Sequence, residues 1–330
     1  MKFLIHIGVN KTGTSSLQRA FFERRAALSE QGILYPETGL QLSAHHQISR
    51  ALNGAAPASL GLRDTWVDDL RAEFRDHELC VLSSENFATL RDVRPMAEIC
   101  PPGDTRVVVY LRDYARYMVS WYQQAIHSRN IAYALPDFLD QYQAEFALTL
   151  RLWREVYGTE NVEVRLYDRA SLKDQDIVAD FCDLIRPGLE KTFEGLQHSS
   201  NPSLSGNLLF FKRVLNCFIT QEESTQIASE LGRMALIDPT FNGKIAVPST
   251  TVSHIRFTYR AEAEGIAEDT GMDLLPRMPE IKGSLCPDLD RLGSDIALIE
   301  KFAKPRKFKV HGFLARMHGL SALSPAKKGP

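Results

Sequence analysis

Phe3-Leu4-Ile5-His6-Ile7-Gly8-Val9-Asn10-Lys11-Thr12-Gly13-Thr14-Ser15-Ser16 sets the architecture of this chain. Residues 3–7 are apolar and rich in β-formers, so they read as a strand that Gly8 stops. A helix is expected over roughly 15–31, with Leu17, Phe21 and Leu28 on one face and Arg19, Glu23 and Arg24 toward water. Gly32 is its stop. A strand, a glycine-bearing loop and a helix bring unpaired backbone N–H groups and the positive end of a helix dipole to one place. Gly8 and Gly13 permit the tight path. Lys11 adds a mobile positive charge, and Thr12, Thr14, Ser15 and Ser16 add hydroxyls. That combination suits an anion such as a phosphate.

Outward from this loop the pattern alternates. A polar, Gly-rich stretch over 36–62 contains His45-His46, and a helix is expected over 66–77 from Trp66, Leu70 and Phe74 at four-residue spacing. A strand over 79–82 ends in Ser83-Ser84-Glu85-Asn86-Phe87. After the turn Pro101-Pro102-Gly103-Asp104, the run Val107-Val108-Val109-Tyr110-Leu111 is the clearest buried strand. Its unbroken hydrophobicity suits the centre of a parallel sheet. It ends at Arg112-Asp113, before a helix over 115–128, a helical stretch over 136–157, a strand over 162–167 and a helix over 174–185. Four strands alternating with helices predict an α/β fold: a doubly wound parallel sheet with flanking helices.

Beyond Pro187 no strong strand is expected. Helical stretches near 207–219, 222–235 and 251–270 predict a C-terminal helical cap. The expected organisation is an α/β core over 1–215, a helical part over 216–300 packed on it, and a basic tail over 301–330. That tail carries Lys301, Lys304, Arg306, Lys307, Lys309 and Arg316, with Phe302, Phe308, Phe313 and Leu314. It is expected to be a solvated, flexible terminus, with a membrane surface or a partner as the other use of such a segment.

Composition excludes several classes. The 330 residues are 44% apolar and 24% charged, an ordinary globular balance. Lys and Arg total 39 against 41 Asp and Glu, so no global basic field favours nucleic acid. The five cysteines are scattered without a CxxC pair, which suggests neither a disulfide framework nor a thiolate zinc site. The N-terminal apolar run is too short for the core of a signal peptide, and no run of about 18 apolar residues appears. A cytoplasmic protein without a transmembrane segment is the expectation.

The loop departs from the nucleoside-triphosphate pattern GxxxxGK[ST]. The spacing of Gly8 and Gly13 fits, but Thr14 follows Gly13 and the lysine sits two places before it. Magnesium is not required by such a pattern. The run Lys11-Thr12-Gly13-Thr14-Ser15 resembles the phosphosulfate loop of the sulfotransferases that use 3′-phosphoadenosine 5′-phosphosulfate (PAPS), bacterial and heparan-type enzymes among them. That loop typically reads KTGT[TS]. The resemblance implies a second element after a later strand, and Arg112 to Tyr122 is similar to the family's RxPxxRxxSxY signature, with Tyr114 where proline is usual.

The resemblance covers roughly residues 1–215 and implies a P-loop-type doubly wound sheet there. It implies that Lys11, Thr12, Gly13, Thr14, Ser15 and Ser16 hold the 5′-phosphosulfate, while Arg112 and Ser120 hold the 3′-phosphate. PAPS would be the donor substrate and no metal would be needed. Arg116 lies four residues before Ser120 and shares its helix face, though a pairing with Asp113 accounts for it equally. An acceptor hydroxyl needs a general base, and the family uses a histidine or a glutamate. Glu85 follows a predicted strand, on the side where open α/β sheets bind ligands, and is placed ahead of His46 and His45 in the loop before it. Asn201 and Ser203 are candidates for a loop closing over the nucleotide, or for a turn and an N-cap.

The implied acceptor is a carbohydrate or glycolipid hydroxyl or amine. Tyr117, Trp121 and Tyr122 are candidates to stack on a sugar, with core packing the stronger reading. An ATP-dependent P-loop kinase and a nucleotide-binding module without turnover stay open as alternatives.

Overall fold

A computed structural model describes residues 2–9, 11–53, 62–196, 202–275 and 278–313, with the backbone alone at 62–67. Five strands form one all-parallel sheet: β1 (Lys2–Ile7), β2 (Ile33–Leu34), β3 (Leu79–Ser84), β4 (Thr105–Leu111) and β5 (Val162–Leu166). Their order is β2-β3-β1-β4-β5. The fold is the expected α/β class. Val107 to Leu111 are fully buried in β4, which explains their continuous hydrophobicity: both faces of the strand are covered. After β1 the chain winds toward β2 and β3, and after β4 it winds the other way to β5. The crevice at the carboxyl ends of β1 and β4 is therefore the switch point of the sheet, where such folds bind ligands.

The elements around the sheet follow from local chemistry. The helix Thr14–Glu23 stops at Arg24 (φ −106°, ψ 12°) and resumes as Arg25–Ser29, so the single helix expected over 15–31 is two. Phe21 anchors it, its ring 5.4 Å from Phe181 and 5.1 Å from Phe193. β2 has no counterpart among the predicted strands, because two residues carry no period. The helix expected from 174 begins at Ile177, where the Asp176 carboxylate accepts the N–H groups of Val178 and Ala179. The stretch expected as one helix over 136–157 is two, Leu135–Gln141 and Phe146–Tyr157.

Arg165 on β5 forks onto Asp180 of the helix Ile177–Ile185 at 2.8 and 2.9 Å, and the Tyr110 hydroxyl on β4 donates to the same carboxylate at 2.7 Å. These buried contacts fix the end of β5 against β4. All five cysteines are unpaired thiols. Among the described residues, no helix is long and apolar enough to cross a membrane.

The chain divides into two compact units whose segments interleave. One comprises Met1–Asp113, Ala144–Ser200 and Ala261–Leu274, and holds the sheet; the other comprises Tyr114–Gln143, Asn201–Arg260 and Leu275–Pro330. This division differs from the expected cut at residue 215. The second unit is helical: Tyr114–Ser128, Gly206–Leu215, Gln221–Met234, Ser249–Thr258 and Leu292–Ala303 are its longer helices. Gln221–Met234 starts with a capping box between Thr220 and Glu223.

The expectation of a flexible tail from 301 is corrected as far as 313. Ala303, Phe308, Val310 and Phe313 are buried. The backbone N–H groups of Lys309 and Val310 donate to the Glu230 carboxylate at 3.0 and 3.1 Å, and the Arg233 guanidinium lies 4.8 Å from the Phe308 ring centre. The basic residues here cover a docked apolar face. Leu314, Arg316 and the rest of the basic segment lie outside the described residues.

Candidate functional site

The loop after β1 is built by close approach. The Gly8 N–H donates to Ser84 O at 3.1 Å, so the exits of β1 and β3 run side by side. A β-carbon on Gly8 would stand 2.5 Å from the Thr14 methyl and 3.0 Å from Glu85 Cα, which leaves glycine as the residue that fits. The buried Thr12 hydroxyl donates to Val9 O at 2.6 Å and closes the loop on itself. Its hydroxyl is thus used within the loop. Lys11 and Gly13 both take left-handed backbone angles, φ 67° and φ 77°. Gly13 caps the helix Thr14–Glu23, and its carbonyl accepts the N–H groups of Ser16 and Leu17 at 3.1 and 3.2 Å. The N–H groups of Thr14 and Ser15, at the first helical positions, have no acceptor within the helix. Ser15 is exposed, Ser16 half-buried, and Thr14 is buried against Gly8.

Arg112 arrives from β4, the neighbouring strand. Its Nη1 donates to Lys11 O at 3.1 Å, and its guanidinium lies 5.8 Å from the ring centre of Tyr167, just past β5. Tyr167 also covers Gly13, where a β-carbon would come within 2.9 Å of its ring. Lys11 and Arg112 are close enough to matter to each other: burial, and then the Arg112 charge, pull the lysine below its usual pKa. Ser120 and Arg116 sit half-buried on the helix Tyr114–Ser128, which belongs to the other compact unit.

Glu85 opens a short 3-10 turn (Glu85–Thr89) at the end of β3. Gln18 Nε2 donates to Glu85 Oε2 at 3.1 Å. His46 Nε2 faces the same oxygen at 3.6 Å, an electrostatic contact longer than a hydrogen bond. His46 Nδ1 lies 2.8 Å from Ser84 Oγ, and that oxygen accepts the Asn86 N–H at 3.2 Å. Ser84 Oγ thus ties His46 to the turn that carries Glu85. Glu85 Oε1 has no hydrogen-bond partner among the described residues.

His45 has the opposite environment. It is fully buried, its Nδ1 accepts the Ser83 N–H at 3.1 Å, and its Nε2 lies 3.2 Å from Pro36 O. Burial lowers its pKa to about 4. Both ring nitrogens are used, so His45 ties the loop to β3 and offers no nitrogen to a substrate proton. This corrects its expected place beside His46 as a candidate base.

A scan against protein-family models returns no match, and a search of curated proteins returns none either. Among solved structures, a sulfotransferase from Alicyclobacillus acidocaldarius is similar over 68% of this chain and 94% of its own, at 15% identity and a TM-score of 0.36. A likeness at that level says nothing of activity, and the α/β assignment rests on the strands themselves.

The sheet unit thus gathers Lys11, Gly13, Thr14, Arg112, Glu85 and His46 around the carboxyl ends of β1, β3 and β4. It adds Gln18, Ser84 and Tyr167, which sequence reasoning did not assign. Gln18 stands one turn after Thr14 on the same helix face, and Tyr167 is the last residue of a predicted strand; those positions were the available signals. Asn201 lies outside the described residues, and the Ser203 N–H donates to Asn242 Oδ1 at 3.1 Å. The aromatics Tyr117, Trp121, Phe138 and Tyr142 pack on one another in the second unit, as core. A groove of about 580 Å³ between the helices Phe146–Tyr157 and Arg260–Thr270 holds none of the site residues. Among the described residues no cluster of three His, Cys, Asp or Glu side chains is placed to hold a metal ion.

Proposed function

We propose that this chain is a sulfotransferase that moves a sulfuryl group from PAPS to a hydroxyl or amine of a carbohydrate or glycolipid acceptor. One observation carries the reading: Lys11 and Arg112 meet at the carboxyl ends of adjacent strands β1 and β4, beside a half-buried carboxylate at the end of β3. A doubly anionic adenylate suits two cations, one for each of its phosphate ends. The donor and acceptor identities also draw on the resemblance of the two sequence motifs.

In this reading Lys11 and the N–H groups of Thr14 and Ser15 hold the 5′-phosphosulfate. Arg112 grips the 3′-phosphate, and Ser120 stays with that assignment on its sequence spacing. Glu85 Oε1 takes the acceptor proton. The acceptor oxygen forms a bond to sulfur while the bond from sulfur to the bridging phosphate oxygen breaks. Negative charge builds on that bridging oxygen, where Lys11 stabilises it, and 3′-phosphoadenosine 5′-phosphate leaves. His46 flanks the same carboxylate, its Nε2 3.6 Å from Oε2.

Calorimetry tests the donor. 3′-Phosphoadenosine 5′-phosphate should bind far more tightly than adenosine 5′-phosphate, which differs only by the 3′-phosphate, and equal affinity would sink the reading. Arg112→Ala should weaken the first ligand about 10–100-fold and leave the second nearly unchanged. Lys11→Ala should lower kcat about 100-fold or more in transfer of radiolabelled sulfate to glycan or glycolipid fractions.

A further inference from the structure

Gln18 is the residue this site makes least obvious. It is an amide on the first helix, 3% exposed, in a position where an apolar side chain would ordinarily pack. A buried amide is kept where its hydrogen bonds are used, and its Nε2 is spent on Glu85 Oε2 at 3.1 Å across 67 residues of sequence. The contact joins two parts of the site that belong to different strands. Gln18 lies one turn into the helix whose first N–H groups face the anion loop, and it shares a face with Thr14. Glu85 lies at the end of β3, with its backbone already against Gly8.

We infer that Gln18 is a positioning residue: it fastens the carboxylate of Glu85 to the helix that holds the donor. This rests on the reading of Glu85 as general base. Gln18 and His46 both approach Oε2, from the helix Thr14–Glu23 and from the start of the helix His46–Leu52. The Gln18 hydrogen bond on Oε2, with the His46 ring 3.6 Å from the same oxygen, fixes the rotation of the group and leaves Oε1, which has no partner among the described residues, for the acceptor. The distance from the base to the transferred sulfur is then set inside one short path: loop, first helical turns, amide, carboxylate. Misplacing a base by an ångström is costly in rate even where binding survives.

Kinetics on the full chain test this. Gln18→Met keeps the side-chain length and apolar packing and removes the donor. It should lower kcat about 10-fold with the acceptor KM and the affinity for 3′-phosphoadenosine 5′-phosphate unchanged. Gln18→Asn, whose amide falls short of Glu85, should lose as much and serves if the methionine variant does not fold. In a double-mutant cycle, Gln18→Met should add no further loss to Glu85→Gln, because the amide then has no base to position. Independent, multiplying losses would mean that Gln18 only packs, and the inference would fall. Wild-type kcat in a folded Gln18 variant would overturn it as well. If the wild type itself transfers no sulfuryl group, the proposed function falls first and Gln18 with it.

Discussion

Adjacent histidines show how much a partner outside the local sequence decides. His45 and His46 follow each other at the start of the helix His46–Leu52, and nothing in the sequence separates them. The Ser83 N–H and the Pro36 carbonyl, 38 and 9 residues away, lock the first into the interior as a neutral ring. Ser84 and Glu85 hold the second at the site. The consequence for stability has a definite sign. The folded-state pKa of His45 is lowered to about 4 from an ordinary 6.5. Its stabilising contribution is present above pH 6.5 and is lost as pH falls from there toward 4, because the unfolded chain takes up the proton first. His6, buried and lowered to about 3, adds a loss of the same sign. Urea denaturation of the wild type should therefore give stabilities that drop between pH 6.5 and 4, by at most about 1.4 kcal/mol per pH unit for each histidine. His45→Asn should be less stable at pH 7 and show a flatter drop. An equal slope in wild type and variant would mean that His45 is not held neutral. That Lys11, Gly13 and Arg112 stand at strand ends was legible because that placement is local in sequence. Gln18 was not, since its use depends on a carboxylate 67 positions on.

Strand and helix boundaries were legible in proportion to their length and to the strength of their pattern. β4 is read directly from five buried apolar residues in a row. β2 is two residues long and leaves no pattern to read. The break at Arg24 interrupts a helix whose apolar periodicity runs on through Leu28, so periodicity alone carried the expected helix too far. The late start at Ile177 is a capping effect: Asp176 satisfies two N–H groups that a longer helix would have turned inward. The loop from β1 into its helix is the element on which the site depends, and Gly13 is its hinge of shape. Any side chain there must adopt φ 77° and displace the Tyr167 ring that sits 2.9 Å from the added carbon. Gly13→Ala should lower stability by roughly 1–3 kcal/mol in denaturant titration and weaken binding of 3′-phosphoadenosine 5′-phosphate at the same time. An alanine variant with unaltered stability and affinity would show that the loop relaxes freely, and would remove the argument for a preformed anion site.

The division of the chain into units is the feature least legible in sequence. Each unit takes in three separate segments, so no composition shift or linker marks a boundary. The helical unit has its own internal logic, in which Lys212 is central. This lysine is fully buried, and burial lowers its pKa to about 7. Its Nζ donates to Asn216 Oδ1 and to Ser224 Oγ at 2.8 Å. Asn216 Nδ2 passes the connection to Ile126 O at 3.0 Å and Ile131 O at 2.7 Å. An amine held among neutral oxygens joins the helices Gly206–Leu215 and Gln221–Met234 to the end of Tyr114–Ser128. Its protonation works against the fold. Below pH 7 the ammonium is buried in the native state and solvated in the unfolded one. Between about 7 and 10.5 the unfolded chain binds the proton and the folded chain does not, so the lysine's contribution to stability rises with pH through that window. The slope is at most about 1.4 kcal/mol per pH unit. Lys212→Met removes the titration while filling the space, at the cost of leaving Asn216 Oδ1 without its donor. The stability of the wild type relative to Lys212→Met should therefore increase from pH 7 to pH 9 in parallel denaturation curves, which cancels the other groups that titrate there. A difference that stays constant across those pH values would show that Lys212 remains charged in the folded chain and that its burial is compensated by more than these neutral partners.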